Sequence, residues 1–375
     1  MTTEPIPALD DLVRMQAIDK RNMLRLINEL PEQCETALGV ARNFALEAFE
    51  TKPSDVFITG IGDSAIAADM AAAVLSEQAE IPIITDHGAG LPKHIGEDSL
   101  VIVMDYTGKS SVMLRNMRDA RHRGAAVICL SGSGKLLEQA AKDQISRIAI
   151  PPGQPQRTAM GYLLVPIIVT IERLGLVEGE IEKLSHAIKH LKNVREALRF
   201  ENPSSRNVAK QIAQNLFGKL TLIYGVFGYR AAVARRWRSQ INTNSKNLAC
   251  CGVLHDMATG EISGYELSGG RAQDIAVVLL KDATDGGVTV DLVNAVQEQL
   301  AQFNVTIADI RGATTVERMF YGMYLGDYVS YYMALLNEAD PFRTEFVEII
   351  ESKLEGEPEP IAPAPPVVED EQAED

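Results

Sequence analysis

The stretch Val56-Phe57-Ile58-Thr59-Gly60-Ile61-Gly62-Asp63-Ser64 decides the fold. Four β-branched or aromatic residues read as a buried strand, and two glycines close it with a tight turn. An Ala- and Met-rich run to about Ser76 then reads as a helix. Moving outward, Ile81–Thr85, Leu100–Met104 and Ala126–Leu130 are further short strands, several of them separated by helical stretches. Strands alternating with helices predict a parallel, doubly wound sheet. The same opening recurs at Leu220–Tyr224, Gly225 and a helix through Arg235-Arg236-Trp237, followed by strands at Leu248–Val253, Ile275–Leu280 and Val305–Ile310. A long helix from about Val316 to Leu336 comes last. Between the repeats, Leu184, Ile188, Leu191 and Val194 form one helical stripe, read as a connection. Before the first strand, Met23, Leu24, Leu26, Ile27 and Leu30 recur at helical spacing, with Pro31 at a boundary or first turn. The expected organisation is an α/β protein: a helical lead over 1–40, α/β domains over 41–155 and 206–354, a helical connection over 156–205, and a tail over 355–375.

A length of 375 residues suffices for two cores of ordinary size. No apolar run approaches the roughly 20 residues that span a bilayer, and Met1–Asp10 lacks the basic start and apolar stretch of a secretory signal. Cys34, Cys129, Cys250 and Cys251 form neither a CxxC pair nor a metal-spaced cluster. Cys129 and Cys250–Cys251 lie in apolar segments and read as buried free thiols, which fits a reducing, cytoplasmic compartment. Of the net charge of −15, eight units come from residues 355–375, which have no basic residue. Five prolines oppose a helix there, so the tail is expected to be disordered and solvated. An acidic balance argues against nucleic acid as a partner.

Three turns carry the candidate chemistry. Gly60-Ile61-Gly62-Asp63-Ser64 offers a helix N-terminus, a Gly62 backbone that a ligand can approach and the Ser64 hydroxyl. It fits a phosphate-binding turn, a dinucleotide fingerprint with Asp86 24 residues after Gly62, or a purely structural turn. Asp105-Tyr106-Thr107-Gly108-Lys109-Ser110-Ser111 brings hydroxyls and a lysine to a strand's carboxyl end, suited to a phosphate monoester or to a helix cap before a solvated face. Ser131-Gly132-Ser133-Gly134-Lys135 is a third such turn. It is not a Walker loop, because Cys129 stands at the leading glycine and Leu136 follows the lysine. Arg235 and Arg236 read first as part of a helix face and second as an anion site.

Taken in order, Gly-Ile-Gly-Asp-Ser-Ala and Asp-Tyr-Thr-Gly-Lys-Ser resemble the two phosphate-binding turns of a sugar isomerase (SIS) domain. Pro151-Pro152-Gly153 with Arg157-Thr158-Ala159-Met160-Gly161-Tyr162 is similar to the arginine segment of bifunctional phosphoglucose/phosphomannose isomerases. So are Arg236–Lys246, Glu261–Tyr265, Tyr324–Ser330 with Asp340-Pro341, and Asp19–Leu24. The resemblance covers about 19–354 in the family's order. It implies two SIS-type three-layer αβα sandwiches with parallel sheets, a sugar-phosphate ligand, a homodimer with the site between domains, and neither metal nor organic cofactor. Gly62, Ser64, Thr107 and Ser110 match the phosphate turns, and Arg157 matches the arginine that steadies an enediolate.

Other positions depart from the family pattern. The family's glutamate base falls at Thr243, its ring-opening histidine at Thr259 and its C-terminal lysine at Glu351, with Lys353 two residues on. Asp105 replaces the first serine of the second phosphate turn. A threonine hydroxyl has no pKa near neutrality and cannot replace a carboxylate base. The expectation is a sugar-phosphate-binding member of the family whose isomerase activity is absent or very weak. The alternatives are an active isomerase using His255, Glu261 or Glu266 as substitutes, and, more distantly, a nicotinamide-dependent dehydrogenase.

Overall fold

The computed structural model describes residues 9–46, 52–267 and 269–354. Five parallel strands form the first sheet: β1 (Asp55–Gly60), β2 (Ile83–Asp86), β3 (Ser99–Met104), β4 (Ala126–Ser131) and β5 (Ser146–Ala149), in the order β2-β1-β3-β4-β5. β1 and β3 are buried along their whole length, and Asp55↔Ser99 through Gly60↔Met104 sets their register. A parallel sheet is covered by helices on its faces, which is why these strands read as continuous apolar runs. β5 escaped the sequence reading because Ser-Arg-Ile-Ala is a short edge strand with Arg147 and Ala149 exposed.

The second sheet repeats the plan with β6 (Leu220–Gly225), β7 (Ala249–Val253), β8 (Ile275–Asp282) and β9 (Asn304–Ile310), ordered β7-β6-β8-β9 and again parallel. In both sheets the first strand lies between the second and the third, so the strand order reverses beside it, the place at the carboxyl edge where open α/β sheets take their ligands. β7 is an edge strand, and Cys250 is exposed on it, contrary to the buried thiol expected from its apolar neighbours. Cys34 and Cys129 are buried, and burial pushes the Cys129 thiol up to about 12.

The helix Thr315–Leu336 is buried on every side and packs against Glu180–Leu198, Val208–Leu216 and Tyr229–Gln240. Its tyrosines need partners for their hydroxyls. Tyr328 donates to Asn28 Oδ1 (2.5 Å), Tyr331 to Asp19 Oδ2 (3.1 Å) and Tyr332 to Leu198 O (2.5 Å), so the helical lead is tied to the second half. Asp19 also accepts the backbone N–H groups of Met23 and Leu24, starting the helix Met23–Asn28. Residues up to Phe342 make one compact unit, and those from Arg343 make another, which carries the helix Glu345–Leu354. The expected tail, 355–375, lies outside the described residues. Among the described residues no helix is long and apolar enough to cross a membrane.

The tightest helix crossing passes through Gly326. A Cβ there would sit 2.3 Å from Trp237 Cδ1 and Nε1, and Trp237 Nε1 donates to Gly322 O at 2.7 Å. Both groups are buried, so neither can yield without moving a helix. Gly326→Ala is expected to destabilise the protein by about 3 kcal/mol through overpacking, read from denaturant unfolding. A loss below about 1 kcal/mol would show that the two helices have slack at this crossing.

Candidate functional site

The site grows from the carboxyl edge of the first sheet. β1 ends at Gly60, whose missing Cβ leaves room for Ala65 N and Ser64 C at 3.0 and 3.1 Å, and Gly62 takes φ +61 before the helix Asp63–Leu75. Ser64 is fully buried, and its Oγ accepts from Gln156 Nε2 at 2.9 Å. Gln156 Nε2 also donates to Ile61 O (2.9 Å), fixing the turn to the short 3-10 segment Gln156–Thr158 that holds Arg157.

In the second turn, Asp105 is 6% exposed. Its Oδ1 accepts Thr107 N–H (3.0 Å) and the Thr107 hydroxyl (2.9 Å), and its Oδ2 accepts Ser110 N–H (2.8 Å). Ser110 caps the helix Ser111–His122 by accepting Met113 N–H at 3.3 Å. The third turn locks the second from behind, since a Cβ on Gly108 (φ +66) would lie 1.7 Å from Ser133 O. Thr107 is exposed and Ser110 half-buried, so this edge faces solvent.

Arg157 is nearly buried and bridges the two halves. Its Nε donates to Asn244 Oδ1 (2.9 Å), and Nη2 donates to Pro341 O (3.1 Å) and Phe342 O (2.9 Å). Burial pulls its pKa down to about 10, partly offset by Asp63, so it stays cationic at neutral pH. Asn244 belongs to a π-helical turn, Ile241–Ser245, that continues the helix Tyr229–Gln240. Such wide turns re-aim side chains at functional sites. Asn244 Nδ2 is held by Gln240 Oε1 (3.1 Å) and Ser330 Oγ (2.9 Å), which aims its oxygen at Arg157.

Thr243 lies in the same turn, one residue from the asparagine that meets Arg157. Its carbonyl accepts Lys246 Nζ at 2.8 Å, and the ammonium also reaches Asp340 O at 2.9 Å. Burial lowers Lys246 to about 8, reinforced by Arg157 and opposed by Asp340.

Thr259 ends the helix Leu254–Thr259, and its hydroxyl turns back to His255 O (2.9 Å) and Asp256 O (3.4 Å). His255 packs against the Phe227 ring, with centroids 5.7 Å apart, and Glu261 accepts the Tyr224 hydroxyl at 2.7 Å. Glu351 falls on the helix Glu345–Leu354, in the second unit, and its side chain lies outside the described residues.

Arg236 does more than the helix face read from sequence. It is 1% exposed and donates through Nη1 to Asp63 Oδ1 (2.7 Å), Nε to Asp327 Oδ1 (3.0 Å) and Nη2 to the Arg157 carbonyl (2.5 Å). One guanidinium therefore joins the first turn, the arginine segment and the long helix. Burial pushes the Asp327 carboxyl up to about 6 although Arg236 opposes the rise. Spacing gives a hint: Arg236 and Gln240, both buried, share one face of their helix at i, i+4.

A family model described as the bacterial phospho-glucose isomerase C-terminal SIS domain matches residues 205–354, and an SIS domain model matches 51–164. A bifunctional phosphoglucose/phosphomannose isomerase from Caldicellulosiruptor bescii is 32% identical over 335 residues, covering 88% of this chain and 98% of that protein. One of the same description from Aquifex aeolicus is 26% identical over 302 residues, covering 80% and 90%. Among solved structures, a glucose-6-phosphate isomerase like protein from Thermus thermophilus aligns with TM-score 0.57 at 20% identity, covering 90% of this chain and 98% of that one. Tagatose-6-phosphate ketose/aldose isomerase from Escherichia coli aligns with TM-score 0.66 at 14% identity, covering 85% and 94%.

Proposed function

The chain belongs to the bifunctional phosphoglucose/phosphomannose isomerase family, and from that premise we propose that it binds a hexose 6-phosphate without interconverting aldose and ketose. The observation that carries this reading is the pairing of a retained binding edge with proton-transfer positions filled by hydroxyls. Ser64, Thr107, Ser110 and Arg157 stand on the first sheet's carboxyl edge and the adjoining arginine segment, while Thr243 and Thr259 fall where the resemblance expects the family's base and histidine. In the family's reaction a carboxylate moves a proton between C1 and C2 after ring opening. In this chain Arg157 retains the charge that would steady an enediolate, but a threonine cannot take the proton that forms one. The sugar-phosphate reading of the first turn is the one carried forward over the dinucleotide reading. The same premise extends to a cytoplasmic homodimer.

A ligand that binds only the folded state raises its stability by RT ln(1 + [L]/Kd), about 1.4 kcal/mol at ten times Kd. For a chain of this size that is a rise of roughly 2 °C in melting temperature. Glucose 6-phosphate, mannose 6-phosphate or fructose 6-phosphate at 20 mM (about ten times a Kd of ~2 mM) is expected to give such a rise, larger than that from free hexose at equal ionic strength. No shift with any of the three would remove the sugar-phosphate reading of the natural chain.

A further inference from the structure

We propose that Asp105 limits phosphate affinity at this edge: it is a built-in anion that sits on the donors of the second turn and competes there with the phosphate of a ligand. The inference rests on the sugar-phosphate reading of this edge and adds what controls it. The donors suited to a phosphate are Thr107 N–H, the Thr107 hydroxyl and Ser110 N–H, and each already donates to the Asp105 carboxylate at 2.8 to 3.0 Å. Asp105 is 6% exposed as a residue, and its carboxylate is held by donors of its own turn. A phosphate dianion reaching the same three donors would have to displace a like-charged group from its hydrogen bonds or share them with it. Either route weakens binding.

The second half of the molecule provides a comparison within the same chain. Asp282 ends β8 as Asp105 follows β3, and its Oδ1 takes Thr284 N–H and the Thr284 hydroxyl, both at 2.8 Å. Its other oxygen accepts the Tyr229 hydroxyl and pairs with Arg318 Nε at 2.8 Å. In that turn a cation neutralises the aspartate and seals the arrangement from within. Asp105 takes its hydrogen bonds from Thr107 and Ser110, and Thr107 faces solvent. The solvent-facing threonine is common to both turns, Thr107 and Thr284, so what separates them is the cation: Asp282 is paired with Arg318, while Asp105 is held by the turn's own Thr107 and Ser110 donors.

The natural chain, Asp105→Ser and Asp105→Asn are titrated calorimetrically at fixed salt with inorganic phosphate and with glucose 6-phosphate, after circular dichroism has shown each variant folded. Serine releases all three donors, and Asn keeps the shape while removing the charge. Asp105→Ser is expected to bind both probes at least about tenfold more tightly than the natural chain, equivalent to about 1.4 kcal/mol, with Asp105→Asn between them. Affinities within about twofold across the three proteins (under about 0.5 kcal/mol) would overturn the role of Asp105 and leave the sugar-phosphate reading intact. Binding of both probes by the variants alone would support the role of Asp105 and remove that reading for the natural chain. Failure of all three folded proteins to bind either probe at 20 mM (a Kd far above ~2 mM) would overturn both.

Discussion

Purified protein is expected to convert fructose 6-phosphate at a rate at least about 10²-fold below that of the same chain carrying Thr243→Glu and Thr259→His. Positioned acid–base groups typically supply about 10²- to 10⁴-fold, and both positions now hold hydroxyls. Thr243 stands in the same π-helical turn as Asn244, which accepts from the Arg157 guanidinium at 2.9 Å, so the turn that would carry the new carboxylate is anchored to the retained cation. Lys246, held near 8 by burial and by Arg157, would move up if the new carboxylate comes within reach of it. Thr259→His breaks the hydroxyl's back-bonds to His255 O and Asp256 O on an exposed helix end, so its cost to folding is small. A coupled assay on the natural chain, the double variant and an Arg157→Lys control measures the effect. Robust turnover by the natural chain that survives His255→Asn and Glu261→Gln would show that Thr243 and Thr259 are not the base and histidine positions. Turnover lost with either substitution would favour an active isomerase with substitute residues. Glu261 is placed for such a comparison because it is already held by Tyr224.

Legibility from sequence followed the range of the forces involved. β1, β3, β6 and the glycine turns were readable because strand burial and positive φ leave their mark within a few neighbouring residues. Gly62 at φ +61 and Gly108 at φ +66 are both consequences of that local chemistry. β5 was not readable, since its pairing with Ile128–Ser131 supplies the order that Ser-Arg-Ile-Ala lacks on its own. Asp105 was legible as a substitution but not as the acceptor of three donors, because the hydrogen bonds that define its role depend on how the turn closes. Arg236 was the least legible residue. Its partners Asp63, Asp327 and the Arg157 carbonyl lie 173, 91 and 79 positions away, and no periodicity reports contacts of that separation.

Arg236→Met is therefore expected to cost about 3–5 kcal/mol of stability at pH 8, the usual penalty for removing one partner from a buried ionic cluster. Removing the cation leaves the half-buried Asp63 and the buried Asp327 without their shared guanidinium and frees the Arg157 carbonyl. Asp327 sets the pH dependence. Its folded pKa stands at about 6 against an ordinary 3.8, raised by burial and restrained by Arg236, so loss of Arg236 raises it further. A carboxyl with a raised folded pKa adds stability that is fully present below its unfolded value and is lost as pH rises through the folded one. Relative to the natural chain, Arg236→Met should thus be less damaging at pH 5, where Asp327 takes up a proton, than at pH 8, where the charge must stay buried without its partner. Adding Asp327→Asn removes that charge while keeping an acceptor, so the double variant should be more stable than Arg236→Met at pH 8 and nearly equal to it at pH 5. Urea unfolding of the three proteins at both pH values measures the terms, and the coupling between the two positions is read from the double variant. A loss under about 1 kcal/mol at pH 8, or a double variant no more stable than the single one, would mean that water already screens the cluster and that Arg236 is not the tie between the two sheets.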